Sequence, residues 1–199
     1  MKVARTLISR DQIAARIKVL GDQITRDLEA VRAGDAGGGG GGGPGASIHP
    51  DSPDAARVVL VPILTGSLVF TADLIRHIPV KMSIRPVVIT SYPGTATTSQ
   101  GANIQSAVPT DLCGAHVILV DDILDSGRTL GLLKRVVQAQ RPASVRLAVL
   151  LRKNKPGGRD EQVDVEYAGF DIEDEFVIGY GLDYDGYFRN LPDIGVMGP

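Results

Sequence analysis

Cysteine is nearly absent: Cys113 is the only one in 199 residues. A single thiol excludes an internal disulfide framework and a thiolate zinc cage, and it fits a reducing compartment, so a cytoplasmic protein is expected. Long apolar runs are missing as well. No stretch approaches the roughly 20 residues that cross a bilayer, and Met1 to Arg10 carries charges where a signal peptide would be apolar. No membrane association is expected. Nor is there an excess of basic charge. With 21 Lys and Arg against 23 Asp and Glu, the net charge of -2 supplies no field for a polyanion, which argues against a nucleic-acid partner. The Walker-type pattern G-x-x-x-x-G-K-S/T does not occur.

Glycine, by contrast, is plentiful. The unbroken tract Gly37 to Gly43 formally satisfies G-x-G-x-x-G, but a homopolymer matches any glycine pattern, and no strand precedes it and no helix follows. With Pro44, Pro50 and Pro53 nearby, residues 35–53 read as a mobile surface insertion without a catalytic role. With 43% hydrophobic residues, the remainder can bury the core of one domain spanning 1–199.

Periodicity organises the rest of the chain. Ser9 and Gln12 have capping-box spacing, and Ile13, Ile17, Leu20, Ile24, Leu28 and Val31 recur every three or four residues, which predicts an amphipathic helix ending at Arg32 to Gly34. From Arg57 the texture becomes strand and helix in alternation. VVLVPIL is a continuous apolar strand, Gly66 and Ser67 turn the chain, and Leu68 to Ile78 reads as a helix. Val87 to Ser91, Val117 to Val120 and Val145 to Leu151 are further strands, with a helix near Thr129 to Gln140. Strands buried on both faces and alternating with helices predict an α/β fold around a parallel sheet. A short strand, Phe176 to Ile178, opens a polar and aromatic tail.

In an open parallel sheet, ligands gather at the carboxyl ends of strands, and the strand VILV delivers Asp121, Asp122 and Asp125 to that edge. Three carboxylates in five residues repel one another, so a cation or a sugar diol is the natural compensation. Ser126, Gly127, Arg128 and Thr129 then lead into a helix, whose first-turn N–H groups and dipole favour a phosphate. Gly127 permits close backbone approach, and the Ser126 and Thr129 hydroxyls can donate to phosphate oxygens.

The whole pattern VILVDDILDSGRT resembles the phosphoribosyl-pyrophosphate signature of type I phosphoribosyltransferases. The tail FVIGYGLDYDGYFRNLPDIGV, Lys153 in LLRKN, and Ser91 with Tyr92 resemble the hypoxanthine-guanine branch in order and spacing. The resemblance implies a twisted, mainly parallel sheet flanked by helices, with a small hood built from the N- and C-terminal segments, residues 170–199 supplying its purine-binding part. It implies transfer of the 5-phosphoribosyl group from phosphoribosyl pyrophosphate to N9 of a 6-oxopurine. The substrates would be hypoxanthine and also guanine, the cofactor Mg2+, and the assembly a homodimer or homotetramer.

Carried over residue by residue, the resemblance places Asp121 and Asp122 on the ribose hydroxyls and, with Asp183, near magnesium. Asp125 becomes the general base at purine N7, a role its chemistry supports, since an acid flanked by like charges can have its pKa raised toward a working value. Asp125 to Thr129 would wrap the 5-phosphate, and Arg189 with the Thr65–Gly66 backbone would meet pyrophosphate, through a non-proline cis peptide. Lys153 would donate to the C6 oxygen and so reject adenine, since a lysine cannot accept. Phe176 would stack on the purine, the Val177 backbone would meet its Watson–Crick edge, and Asp183 would lie beside it. Residues 92–113, entered through Ser91 and Tyr92, would close over a cationic transition state that water would otherwise capture.

Two positions depart from the pattern. Thr65 stands where the branch often has lysine, and Asp121 where glutamate is frequent. Two other readings use the same loop: a regulator that senses phosphoribosyl pyrophosphate on this fold, and a magnesium-dependent phosphatase built on the acidic cluster.

Overall fold

The computed structural model describes residues 3–36, 57–90, 103–104 and 106–198. The insertion beyond Ala36, Ser91, Tyr92 and the adjoining part of the expected closing loop lie outside the described residues.

The first helix forms where its periodicity predicts, as α1 (Arg10–Ala36), two residues longer than expected. Its start is capped reciprocally: the Ser9 backbone N–H donates to Gln12 Oε1 at 2.9 Å, and the Gln12 N–H reaches Ser9 Oγ at 3.4 Å. Ile13, Ile17, Leu20, Ile24 and Leu28 are all buried along one stripe. Each such side chain contributes roughly 1.5–3 kcal/mol by leaving water, so this stripe, rather than helix propensity, holds α1 in place.

Before α1 lies β1 (Val3–Ile8), and after it come β2 (Val58–Leu64), α2 (Leu68–Leu74) with a following 3-10 turn Ile75–His77, β3 (Met82–Ile84), β4 (Val87–Thr90) and β5 (Asn103–Ile104). Then follow β6 (His116–Leu124), α3 (Arg128–Gln138), β7 (Ser144–Lys153), β8 (Tyr167–Ile172), β9 (Val177–Ile178) and β10 (Ile194–Met197). The main sheet runs β5-β4-β2-β6-β7-β8, with β3 also on β2. All of its pairings are parallel except β4 with β5. Alternate residues feed two cores. Leu60, Ile118, Val120 and Leu150 pack towards α1 and α2, while Val61, Val117, Leu119 and Val149 pack towards α3.

The chain ends supply a second, antiparallel sheet, β1-β10-β9, in which Val196 faces Arg5 and Val177. This is the small hood that the resemblance implied. Periodicity alone did not reveal it, because β1 is mostly exposed and carries no apolar alternation. The acid-bearing strand is also longer than its apolar core: β6 continues through Asp121 and Asp122 to Leu124, since backbone pairing with β7 persists where the side chains turn polar. Within the expected loop 92–113, Asn103–Ile104 pairs with β4, an element its polar texture did not announce.

Candidate functional site

At the carboxyl ends of β2 and β6 lies a cleft of about 480 Å³. Thr65 and Gly66 form one wall, Asp121, Asp122 and Asp125 another, and Ser126, Gly127 and Thr129 a third, with Asp183 and Arg189 arriving from the hood. The β2 and β6 ends, about sixty positions apart in sequence, meet because parallel pairing sets them side by side.

The Leu64–Thr65 peptide is cis, as the resemblance implied. Gly66 sits so close to β6 that an added Cβ would lie 1.9 Å from Asp122 Oδ2. Only glycine lets the two walls approach this far. Gly127 begins α3 at φ 85, the left-handed region, with the Glu161 carbonyl oxygen packed where a Cβ would stand.

The acids divide into two environments. Burial, then the neighbouring Asp122 charge, pushes the Asp121 carboxyl well above the usual range, and burial raises Asp122 as well. The pair is therefore electrostatically unsatisfied, which suits hydroxyl donors or a cation. Asp125 differs from its expected behaviour. Its partial burial favours the neutral form, but Lys155 on one oxygen and Lys153 on the other outweigh that, and its pKa is lowered. Opposite charges, not like ones, are its nearest neighbours.

Lys153 ends β7 almost fully buried, its Nζ 3.1 Å from Asp174 Oδ1 and 3.3 Å from Asp125 Oδ2. Phe176 is not core: it stands 53% exposed, its ring edge-to-face with Tyr184 at 5.7 Å. Val177 is buried in the hood sheet. Asp183 accepts the Gly186 N–H at 2.8 Å and pairs with Arg189 at 2.7 Å, while the Arg189 guanidinium also donates to the Gly181 carbonyl at 2.6 Å. Arg128 behaves unexpectedly: its Nε pairs with Asp160 at 3.1 Å and its side chain does not line the cleft. Sequence reasoning missed Lys155, which does line it. Its position two residues beyond Lys153, before Pro156, was the available signal.

The phosphoribosyl transferase domain model matches residues 46–185. The hypoxanthine-guanine phosphoribosyltransferase of Streptococcus pneumoniae (strain R6) is 36% identical over 195 residues, covering 98% of this chain and 93% of that one. The chain belongs to the hypoxanthine-guanine phosphoribosyltransferases. Solved structures of the family superimpose along the whole length. One from Bacillus anthracis, with a HEPES molecule in its active site, is 34% identical, covers 99% of this chain and 100% of that chain, and has a TM-score of 0.79. A mutant of the Trypanosoma cruzi hypoxanthine phosphoribosyltransferase, complexed with the product IMP, is 31% identical with a TM-score of 0.79, covering 99% and 91%. Family membership fits the cis Leu64–Thr65 turn, the paired acids and the glycine-led start of α3 in one cleft.

Proposed function

We infer that this chain is a purine salvage enzyme, joining hypoxanthine or guanine to the 5-phosphoribosyl group of phosphoribosyl pyrophosphate and releasing IMP or GMP with pyrophosphate. The carrying observation is the meeting of Asp121, Asp122, Gly66 and the Ser126–Thr129 loop in one cleft, which offers acceptors for a diol beside donors for a phosphate. The Trypanosoma cruzi relative complexed with IMP supports the same ligand class.

Each residue takes a task its chemistry permits. Asp121 and Asp122 accept from the ribose 2- and 3-hydroxyls, which stabilises their ionised forms against burial. Ser126, Gly127, Arg128 and Thr129 hold the 5-phosphate, Arg128 through its backbone N–H only. Thr65, Gly66 and Arg189 face the pyrophosphate. Lys153 donates to the C6 oxygen, Phe176 stacks on the base, and Val177 presents its backbone to the Watson–Crick edge. Asp125, ionised, accepts the N7 proton as N9 bonds to C1. Because two lysines weaken it as a base, that transfer comes late, when bond formation has acidified N7–H.

Among the described residues, no three acidic, histidine or cysteine side chains converge as a complete metal cage. The unsatisfied Asp121–Asp122 pair and Asp183 nonetheless fit magnesium, which takes one or two carboxylates and completes its shell from substrate oxygens and water. Bound there, it supplies neutralisation of the departing pyrophosphate. We place the enzyme in the cytoplasm as a homodimer or homotetramer; no helix among the described residues is long and apolar enough to cross a membrane.

The test is formation of IMP and pyrophosphate from hypoxanthine, phosphoribosyl pyrophosphate and magnesium. Retained binding of phosphoribosyl pyrophosphate without turnover leaves the sensing regulator as the better reading. Sizing chromatography decides the assembly.

A further inference from the structure

Six charged side chains line the cleft: Asp121, Asp122, Asp125, Asp183, Lys155 and Arg189. Four acids against two cations leave it negative, yet it must admit a phosphate monoester carrying about two negative charges. The two cations are not equivalent. Arg189 is committed to Asp183 and the Gly181 carbonyl on the hood side. Arg128, the cation nearest the loop in sequence, is drawn outward by Asp160. Lys155 shares the cleft lining with Ser126, Gly127 and Thr129 and contacts Asp125, the residue that precedes them.

We propose that Lys155 is the phosphate-side cation of this cleft, pairing with Asp125 when the site is empty and donating to the 5-phosphate when it is filled. This rests on the reading of the chain as a phosphoribosyltransferase. The geometry supports it in three ways. Its ammonium touches Asp125, the residue immediately before the loop, and lies 3.8 Å from Asp174 Oδ2, so it is already held at the loop's edge. It is a quarter exposed, so exchange of one partner for another needs no unfolding. An ammonium has three donors, enough to keep one carboxylate while meeting a phosphate oxygen. The Asp125 contact, with Asp174 and Asp160 nearby, also raises its pKa, so it stays charged at any working pH.

The exchange has a consequence for selectivity. Backbone N–H groups at the start of α3 bind an anion but cannot offset its full charge, so Lys155 sets how strongly the cleft prefers a phosphorylated ribose over a bare one.

The experiment compares IMP with inosine, which differ only in the phosphate, by calorimetric titration of the full-length protein and its Lys155→Met and Lys155→Arg variants. The methionine variant is expected to bind IMP about tenfold to a hundredfold more weakly and inosine within about twofold of the parent, with arginine restoring most of the loss. Unchanged IMP affinity, or equal losses for both ligands, overturns the proposal. A parent protein that makes no IMP from hypoxanthine and phosphoribosyl pyrophosphate overturns the underlying activity instead, and the two failures are read in separate assays.

Discussion

Replacing Gly66 by alanine tests the cleft at its tightest point. The new Cβ would stand 1.9 Å from Asp122 Oδ2 and 2.6 Å from its Cγ. Non-bonded carbon atoms rest ~3.5–4.0 Å apart and a carbon–oxygen contact is only slightly shorter, so something must move by at least ~1 Å. The backbone of Gly66 is not in the left-handed region, so alanine adds no conformational penalty of its own and the contact alone decides the outcome. Either the Asp122 carboxylate or the 64–67 turn must give way, and the proposed reading puts the first on the ribose and the second on the pyrophosphate. Displacements of this size at a reacting centre cost about 100-fold in rate, equivalent to ~2.7 kcal/mol of transition-state stabilisation. Steady-state kinetics with phosphoribosyl pyrophosphate varied should show that loss in kcat/KM. Thermal unfolding should shift little, because the contact lies at the cleft rather than in either core. A variant retaining more than a third of the parental kcat/KM refutes the claim that close approach of these two walls positions the ribose.

Four further outcomes follow from the structure. Asp125→Asn should lower kcat by about 100-fold or more while leaving phosphoribosyl pyrophosphate affinity within about threefold; equal losses in both refute its role as proton acceptor. Since its two lysines hold its pKa below the usual carboxylate value, the parental Asp125 carboxyl should titrate below an ordinary aspartate by NMR, and a midpoint above the ordinary value contradicts the ion pairs. Lys153→Gln should lower hypoxanthine kcat/KM and shrink the preference over adenine by about tenfold or more, because an amide can accept as well as donate; an unchanged ratio removes Lys153 as the base reader. Tyr167 donates to Asp27 at 2.9 Å and accepts from Arg146 at 3.0 Å, and burial, then the Asp27 bond, lifts its pKa from 10.0 to about 12. Between those values the unfolded chain gives up a proton that the folded one keeps, so stability falls as pH rises through that window. Urea unfolding should show a shallower alkaline loss for Tyr167→Phe, and identical slopes contradict the assignment.

Much of the fold was legible because burial leaves a periodic trace. The α1 stripe and the apolar runs of β2, β6 and β7 sit where apolar spacing placed them. Elements held chiefly by backbone pairing left no such trace. β1 is exposed along most of its length, and β3 and β5 span three and two residues, too short for alternation to register. At the site, linear neighbourhood was the misleading guide. It put Asp125 among acids and Arg128 against phosphate, because both are adjacent to those groups along the chain.

Space changed the surroundings of both side chains through one segment, the end of β7 and the turn after it. The parallel pairing of β6 with β7 sets Leu124 opposite Arg152, so the residues at and just beyond each strand end come out side by side. Lys153 and Lys155 therefore reach Asp125, and Asp160, further along the same turn, captures Arg128. A segment that carries none of the phosphoribosyl-pyrophosphate signature thus sets the charge state of its central acid and removes its most obvious cation from the cleft. In the proposed reading Lys153 serves the base and Lys155 the phosphate, so both ends of the nucleotide product would be gripped from the end of β7 and the turn after it, whose two lysines share Asp125 between them. Loss of either lysine should consequently raise the pKa of that acid. Substitutions here are expected to change turnover even where no contact with the substrate is lost.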